Sequence, residues 1–401
     1  MKPVVFVDSC RTAIGRYGGI LKDVRPDDMA ALMIRTLVER NQINGSDIED
    51  VYWGAANQAG EDNRNVARMA VLLAGLPFSV PGVTVNRLCA SSLEAINLAA
   101  KSIMSGEGDI YIAGGSESMS RAPFVMAKAD QAFSRTAEIY DTTIGWRFTN
   151  PDLAEKYYPF SMGETAENVA KKYNLTRSQQ DEFALNSQNK AVEAQQKGRF
   201  AKEIVPVQIK QKKETIIIEK DEHPRAGLSL EKLGALQAAF VENGTVTAGN
   251  SSGINDGASA VLMMSEEKAK QLGLKPIARY RASAAAGVDP SCMGIGPVPA
   301  TQKALNRAGI TISDLGLIEL NEAFAAQSLA CIQDLKLDIR KVNVNGGAIA
   351  LGHPLGCSGA RLMTTLLNEF KLRSDVKYGL TTMCVGVGQG VATIVENVWK
   401  D

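Results

Sequence analysis

Val83-Thr84-Val85-Asn86-Arg87-Leu88-Cys89-Ala90-Ser91-Ser92-Leu93-Glu94 is the stretch from which the fold is read. A short β-branched run stops at a polar turn. Small residues then lead into Ser91 to Met104, whose apolar positions recur at helical spacing and which ends near Gly106. Strand, turn and helix follow one another within a few residues, and the alternation continues outward. Upstream, Val4-Val5-Phe6-Val7 and Val51-Tyr52-Trp53 predict strands. Asp28 to Glu39 and Asn65 to Leu76 predict helices, the second stopped before Pro77. Downstream, Ile110 to Ala113 predicts a strand ending in Gly114-Gly115. This pattern argues for a layered α/β unit.

The C-terminal part repeats it. Ile277 to Ser283, Leu317 to Leu320, Val342 to Val344, Tyr378 to Thr382 and Val391 to Val395 read as strands. Ala300 to Ala308, Ala323 to Leu335 and Ser358 to Phe370 read as helices. The halves superpose by pattern. Cys89 lies between a strand and a helix, and Gly114-Gly115 ends the next strand. Cys357 opens a helix, and Cys384 ends the next strand at nearly the same spacing. Ile254-Asn255-Asp256-Gly257 leading into Ala258 to Met264 matches Val387-Gly388-Gln389-Gly390 leading into Val391 to Val395. The expectation is a duplicated α/β domain. Residues 1–120 plus 249–270 form the first copy and 271–401 the second, with 121–248 inserted before the first copy's last strand. The charge run Lys210, Lys212, Lys213 and Glu214 in the insertion reads as a solvated loop or hairpin face.

Composition narrows the function classes. The chain has 401 residues, 45% hydrophobic and 22% charged, an ordinary globular balance that argues for two or three domains. Lys+Arg and Asp+Glu are both 44, so no global charge draws it to nucleic acid or an anionic membrane. No basic start precedes a long apolar core, so no secretion signal is expected. The uncharged stretches 69–86 and 342–360 hold Pro77 and Pro81, or are filled with Asn and Gly, so neither is expected to span a membrane. Cys10, Cys89, Cys292, Cys331, Cys357 and Cys384 are scattered without a C-x-x-C pair, which argues against zinc sites and a disulfide framework. Only His223 and His353 can supply an imidazole.

Several residues stand in chemically suggestive places. A thiol at Cys89 points at the positive end of a helix dipole, which is expected to lower its pKa. Backbone N–H groups there can bind a developing oxyanion. The plain alternative is a buried cysteine at a helix start. His353, in a glycine-rich uncharged turn, is expected to be partly buried with a depressed pKa, a neutral base near pH 7, or else a structural histidine. His223 lies in the charged loop Asp221-Glu222-His223-Pro224-Arg225 and is the weaker candidate. Cys384 ends a strand before alternating glycines. This resembles a dinucleotide fingerprint only loosely, and a proton-transferring thiol fits better. Asn321-Glu322 stands at the carboxyl end of a strand, where α/β sheets place ligand sites, with a helix N-cap at Asn321 as the alternative. Gly249-Asn250-Ser251-Ser252-Gly253 matches the G-x-S-x-G elbow of serine hydrolases, although Asn255-Asp256-Gly257 continues the loop where a helix should begin.

Together these segments resemble the thiolase family. The resemblance rests on Asn86-Arg87-Leu88-Cys89, Gly114-Gly115-Ser116-Glu117-Ser118-Met119-Ser120, Thr247-Ala248-Gly249-Asn250, Asn321-Glu322-Ala323-Phe324, Gly352-His353-Pro354 and Cys384-Val385-Gly386, in the family's order and spacing. It implies duplicated βαβαβαββ domains in a layered αβαβα arrangement with an inserted loop domain. It implies an acyl-CoA:acetyl-CoA C-acyltransferase working by ping-pong through an acyl-cysteine. Cys89 would be the acylated nucleophile, His353 would take its proton, and Cys384 would be the acid/base at the departing carbon. Asn321 through a water, with His353, would form one oxyanion site. The N–H groups of Cys89 and Gly386 would form the other. By position, Met162, Arg225, Ala248, Ser252, Ala323 and Phe324 would contact coenzyme A. Acyl-CoA and CoA are then the partners, with no tightly bound cofactor, no metal, no nucleic acid and no membrane. A cytoplasmic homodimer or homotetramer is expected.

Gly60 to Arg68 and Asp141 to Phe148 are similar to thiolases that cleave 3-oxoadipyl-CoA in aromatic-compound breakdown. A chain ending in a carboxylate needs a cation or strong donors, and Arg147 is the candidate, with a surface arginine as the alternative. A short-chain acetoacetyl-CoA thiolase and a serine hydrolase using Ser251 are the competing functions. Ala90-Ser91-Ser92 replaces the family's common Gly-Ser-Gly, and Leu236-Gln237-Ala238-Ala239-Phe240 lacks its usual Lys and Pro.

Overall fold

The computed structural model describes residues 1–210, 212 and 214–400. Nine strands build the central sheet: β1 (Val4–Arg11), β2 (Asp50–Gly54), β3 (Val83–Val85), β4 (Ile110–Ser118), β5 (Asn255–Ser265), β6 (Ala278–Gly287), β7 (Leu315–Leu320), β8 (Tyr378–Val385) and β9 (Gln389–Asn397). Their spatial order is β7-β8-β9-β6-β1-β5-β4-β2-β3, and the short strand Gly15–Arg16 adds to β5. In the first half β1/β5 and β5/β4 are antiparallel, while β4/β2 and β2/β3 are parallel. In the second half β6/β9 and β9/β8 are antiparallel and β8/β7 is parallel. The duplication read from the pattern is therefore present in four strands of each half, and β3 has no counterpart strand in the second. Within the sheet, among the described residues, the halves pair through Val5–Arg279 and Phe6–Ala278.

Helices α1 (Pro26–Arg40), α2 (Val66–Leu73), α3 (Ser91–Ser105), α4 (Met162–Lys172), α5 (Arg177–Gln196), α6 (Pro297–Ala308), α7 (Ala325–Leu335) and α8 (Leu355–Phe370) complete the frame. Three apolar cores separate the layers. Met33, Ile34 and Leu37 of α1 and Val66 and Val71 of α2 pack on Val51, Trp53 and Leu262. Leu93 and Ile96 of α3 and Leu362, Met363 and Leu366 of α8 pack between strands of both halves, including Phe6, Val261, Val391 and Val395. Ala300 and Leu305 of α6 and Cys331 and Leu335 of α7 cover Ile318, Leu320 and Ile394. Paired α3 and α8 thus make the middle of five layers, and burial of these side chains drives the stacking.

Two expected elements differ. Gly114-Gly115 does not end its strand, which runs on to Ser118. The glycines serve close packing instead. A Cβ on Gly115 would lie 2.0 Å from the Gly356 carbonyl oxygen at the start of α8. Val342 to Val344 is not a strand. Val342 makes one isolated parallel bridge to Ile318, and then the Asn343 side chain takes over. Its Oδ1 accepts from the Leu320 N–H at 2.9 Å and its Nδ2 donates to the Leu320 carbonyl at 2.8 Å. A side-chain amide here replaces a strand's ladder.

The chain leaves the sheet after Ser118 and rejoins it at Asn255. The intervening residues carry α4, α5 and two short hairpins, Phe124–Met126 with Ile139–Asp141 and Val207–Lys210 with Thr215–Ile218. Lys210 ends a hairpin strand and, like Lys212, is exposed, whereas Lys213 lies outside the described residues. A buried ion cluster ties this segment to β1. Arg11 donates through Nε to Glu203 at 2.6 Å and through both Nη atoms to Asp221 at 2.7 and 2.9 Å. Removing one partner of so buried a set costs about 3–5 kcal/mol. Among the described residues, no helix is long and apolar enough to cross a membrane.

Candidate active site

The turn between β3 and α3 is held by its own side chains. Asn86 Oδ1 accepts from the Leu88 N–H at 2.8 Å, and Asn86 Nδ2 donates to the Ala56 carbonyl at 3.0 Å. Ser91 Oγ donates to the Leu88 carbonyl at 2.5 Å. Leu88 takes φ 46 and swings Cys89 toward a pocket. The expected low thiol pKa is not found. Burial pushes Cys89 up to about 11, although hydrogen bonds from the Gly386 N–H and its own N–H pull the other way. Desolvation of the thiolate outweighs the partial charge of one helix end. Cys89 is therefore a thiol at rest, and a nucleophilic role for it would need a base.

His353 is the candidate base. It is 5% exposed, and burial with nearby Arg361 lowers its pKa to about 3, so the imidazole is neutral at pH 7, as expected. Its tautomer follows from the hydrogen bonds around it. The Ser358 hydroxyl donates to the Pro354 carbonyl at 2.8 Å, so its lone pair accepts the proton on His353 Nδ1 at 2.6 Å. Nε2 is left unprotonated and accepts from Asn321 Nδ2 at 3.3 Å. Asn255 Oδ1 accepts from the His353 N–H at 2.9 Å and fixes the turn.

Asn321 caps nothing, because α7 begins at Ala325. It is wholly buried beyond β7, its N–H donates to the Thr382 carbonyl at 3.0 Å, and its Oδ1 has no hydrogen-bond partner among the described residues. Cys384, 1% exposed near the end of β8, is pushed well above the usual thiol range by burial and then by Cys89 and Cys331. Gly386 presents its N–H to the Cys89 sulfur.

Two pockets meet over Cys89. The larger, about 650 Å³, is walled by apolar side chains and includes Cys89, His353, Cys384, Met162, Ala248, Ser252, Ala323 and Phe324. Exposed Arg225 and Lys232 also line it. Phe240 packs edge-on against Phe324 at 6.1 Å. His223, in its charged loop, is buried. It is 8% exposed, lines this pocket, and lies 3.4 Å from Asn255 Nδ2, while burial and nearby arginines lower its pKa to about 4. The smaller pocket, about 210 Å³, runs past Leu88, Gly386 and Val387 to Thr142, Trp146 and Arg147. Arg147 is half-buried there, and its Nη2 donates to Asn57 Oδ1 at 2.8 Å. Glu117 lines it too. Burial raises its carboxyl to about 7 despite N–H donors from Ala56, Asn57 and Gly356.

The nucleophile-elbow reading of Ser251 fails. Its hydroxyl donates to the Thr247 carbonyl at 2.7 Å, and the loop runs into strand β5 rather than a helix. Sequence reasoning missed Ser358, Asn255, Lys232 and Glu117. An i+5 serine after the turn histidine was the one local signal for Ser358; the others declare themselves only through contacts.

The thiolase N-terminal domain matches residues 4–267 and the thiolase C-terminal domain matches residues 274–397. The chain belongs to the thiolase family. Two curated relatives are each 56% identical over 99% of this thiolase and all of their own length. They are the 3-oxoadipyl-CoA/3-oxo-5,6-dehydrosuberyl-CoA thiolase of Escherichia coli K12 and a beta-ketoadipyl-CoA thiolase of Acinetobacter baylyi. The crystal structure of the Bacillus anthracis acetyl-CoA acetyltransferase superposes with a TM-score of 0.93 at 42% identity, covering 99% of both chains. The thiolase is accordingly an acyltransferase acting on acyl-CoA and CoA. Two thiols, one unprotonated imidazole nitrogen and one N–H aimed at sulfur are groups that such chemistry can use.

Proposed function

We propose that this thiolase cleaves 3-oxoadipyl-CoA with CoA to succinyl-CoA and acetyl-CoA, by a ping-pong route through acyl-Cys89. The observation that carries the substrate choice is the smaller pocket, which leads from the nucleophile to a half-buried guanidinium, Arg147. The names borne by the two 56% identical relatives support the same substrate.

His353 Nε2 takes the Cys89 proton, and sulfur attacks the 3-oxo carbon. The resulting oxyanion accepts from the Cys89 and Gly386 N–H groups. Its collapse breaks the C2–C3 bond and leaves succinyl-Cys89 and the acetyl-CoA enolate. Asn321, through a water, with the His353 imidazolium holds the enolate oxygen, and Cys384 gives the proton to its carbon. Incoming CoA gives its thiol proton to the Cys384 thiolate and attacks the thioester, and the departing Cys89 sulfur takes back the proton held by His353, which restores all three groups. The larger pocket takes the pantetheine arm along Met162, Ala248, Ser252, Ala323 and Phe324, while Arg225 and Lys232 meet its phosphates. Residues 121–248 form the loop domain that offers most of these contacts. The assembly is a cytoplasmic homodimer or homotetramer with no tightly bound cofactor and no metal.

The test is kcat/KM for 3-oxoadipyl-CoA and acetoacetyl-CoA with CoA, reading acetyl-CoA, in wild type and Arg147→Ala. Loss of a charged hydrogen bond predicts a fall of about 30-fold, roughly 2 kcal/mol, for the first substrate alone. Equal losses on both substrates, or a wild-type preference for acetoacetyl-CoA, would overturn the assignment.

A further inference from the structure

The nucleophile and its N–H donor stand on turns from different halves of the molecule. Cys89 follows Leu88, whose φ is 46, and Gly386 precedes Val387, whose φ is 62. Neither is glycine. A β-branched residue at positive φ is a backbone outlier, and each such residue costs about 1–3 kcal/mol. Such conformations persist only where the surroundings impose them. Each turn has local ties. Asn86 and Ser91 hold Leu88, and the Val288 N–H donates to the Gly388 carbonyl at 2.8 Å. These ties shape each turn within its own half and say nothing of the gap between the two.

A side-chain pair at the two turns crosses that gap. Arg87, two residues before Cys89, donates through Nη1 to Gln389 Oε1 at 2.9 Å, three residues after Gly386. A guanidinium has only donors, so the Gln389 amide is oriented with its oxygen toward Arg87. Glu94 on α3 lies 3.3 Å from Arg87 Nε and steadies the guanidinium from the other side. The space left at Gly386 is narrow, since a Cβ there would come 3.3 Å from Leu88 Cδ1. A small slip of either turn would therefore move the N–H off the sulfur.

We propose that Arg87 and Gln389 form a positioning clamp that registers the Gly386 N–H against the Cys89 sulfur, and with it the oxyanion of both half-reactions. The inference rests on Cys89 being the acylated nucleophile. Neither clamp residue is a catalytic residue, because neither touches the reacting atoms.

The test compares Arg87→Met, Gln389→Leu and the double variant in the full-length protein with the better β-ketoacyl-CoA substrate. Complete loss of one oxyanion donor lowers kcat about 100-fold or more, so a displaced donor is expected to cost about 30-fold, with KM changed less than about threefold. The double variant should be no worse than about threefold below the weaker single, because one interaction is broken only once. Gln389→Glu, which keeps an acceptor for Arg87, should restore kcat to within about threefold of wild type. The pH profile of Cys89 alkylation by iodoacetamide, read on the Cys89 peptide, should move up by about half a pH unit in Gln389→Leu, because a thiolate loses an N–H donor. A kcat within about twofold of wild type in Gln389→Leu, double losses equal to the product of the singles, or an unmoved alkylation profile would each overturn the clamp. Absence of an acyl adduct on Cys89 in wild type would instead sink the nucleophile assignment, while the alkylation profiles would still judge the clamp.

Discussion

The paired helices α3 and α8 form the middle layer, and each has a thiol at its head. Cys89 precedes α3, and Cys357 lies in the first turn of α8. Burial raises both, Cys89 to about 11 and Cys357 to about 12. Helix position therefore separates them little. Their surroundings differ. Cys357 is wholly buried in packed protein, beside the Gly115–Gly356 contact. Cys89 opens on two pockets, receives the Gly386 N–H, and shares a cavity with a neutral imidazole. Access, a nearby base and an oriented donor are what a nucleophilic thiol requires, and a helix end alone supplies none of the three.

The largest expected effect breaks the comparison directly. Cys89→Ala should lower kcat by more than about 10⁴-fold. Cys357→Ala should keep kcat within about threefold and lower unfolding stability by about 1–2 kcal/mol, measured by urea denaturation. Comparable activity losses in the two would show that the pockets do not distinguish them. Next, His353→Asn should cost about 10³-fold in kcat. With a native pKa near 3, the wild-type kcat/KM profile should show no ionisation of this imidazole between pH 5 and 9. An acid limb centred near 6.5 would mean that the imidazole is solvated.

Ser358→Ala sharpens the comparison less strongly. It frees the tautomer by removing the acceptor for Nδ1–H, and a loss of about 10- to 100-fold in kcat with little change in KM is expected. An unchanged kcat would show that another group fixes the ring. The smallest effect concerns stability. Both histidines have native pKa values below their unfolded value, His353 about 3 and His223 about 4. Between these and about 6.5 the unfolded chain binds more protons, so their contribution to stability rises with pH and is lost on acidification. Replacing His223 by Asn should make the thermal midpoint fall less steeply from pH 6.5 to 4.5, and an identical slope would refute its burial.

The strands were legible because their cues are local. Val4 to Val7, Val51 to Trp53 and Tyr378 to Thr382 carry the β-branched or apolar runs that pleated, covered strands need. Gly114-Gly115 misled because glycine punctuates turns and also admits close packing, and only the approach of Gly356 separates the two uses. Val342 to Val344 misled because an edge position can be closed by the amide of Asn343, which leaves no period in the sequence. Likewise the dipole argument for Cys89 was local and lost to desolvation, which is a property of everything packed around the sulfur.

By itself the sequence determined the α/β alternation, the duplication and which thiols and imidazole were available, because periodicity and turn chemistry act over a few residues. Tertiary structure alone decided that residues 89, 321, 353, 384 and 386, drawn from both halves, meet at one place. It also decided that His223 is buried, that Nε2 of His353 is unprotonated, and that the thiols of Cys89 and Cys384 rest protonated. Burial and through-space electrostatics depend on what the whole chain brings into contact, and no neighbouring residue announces them.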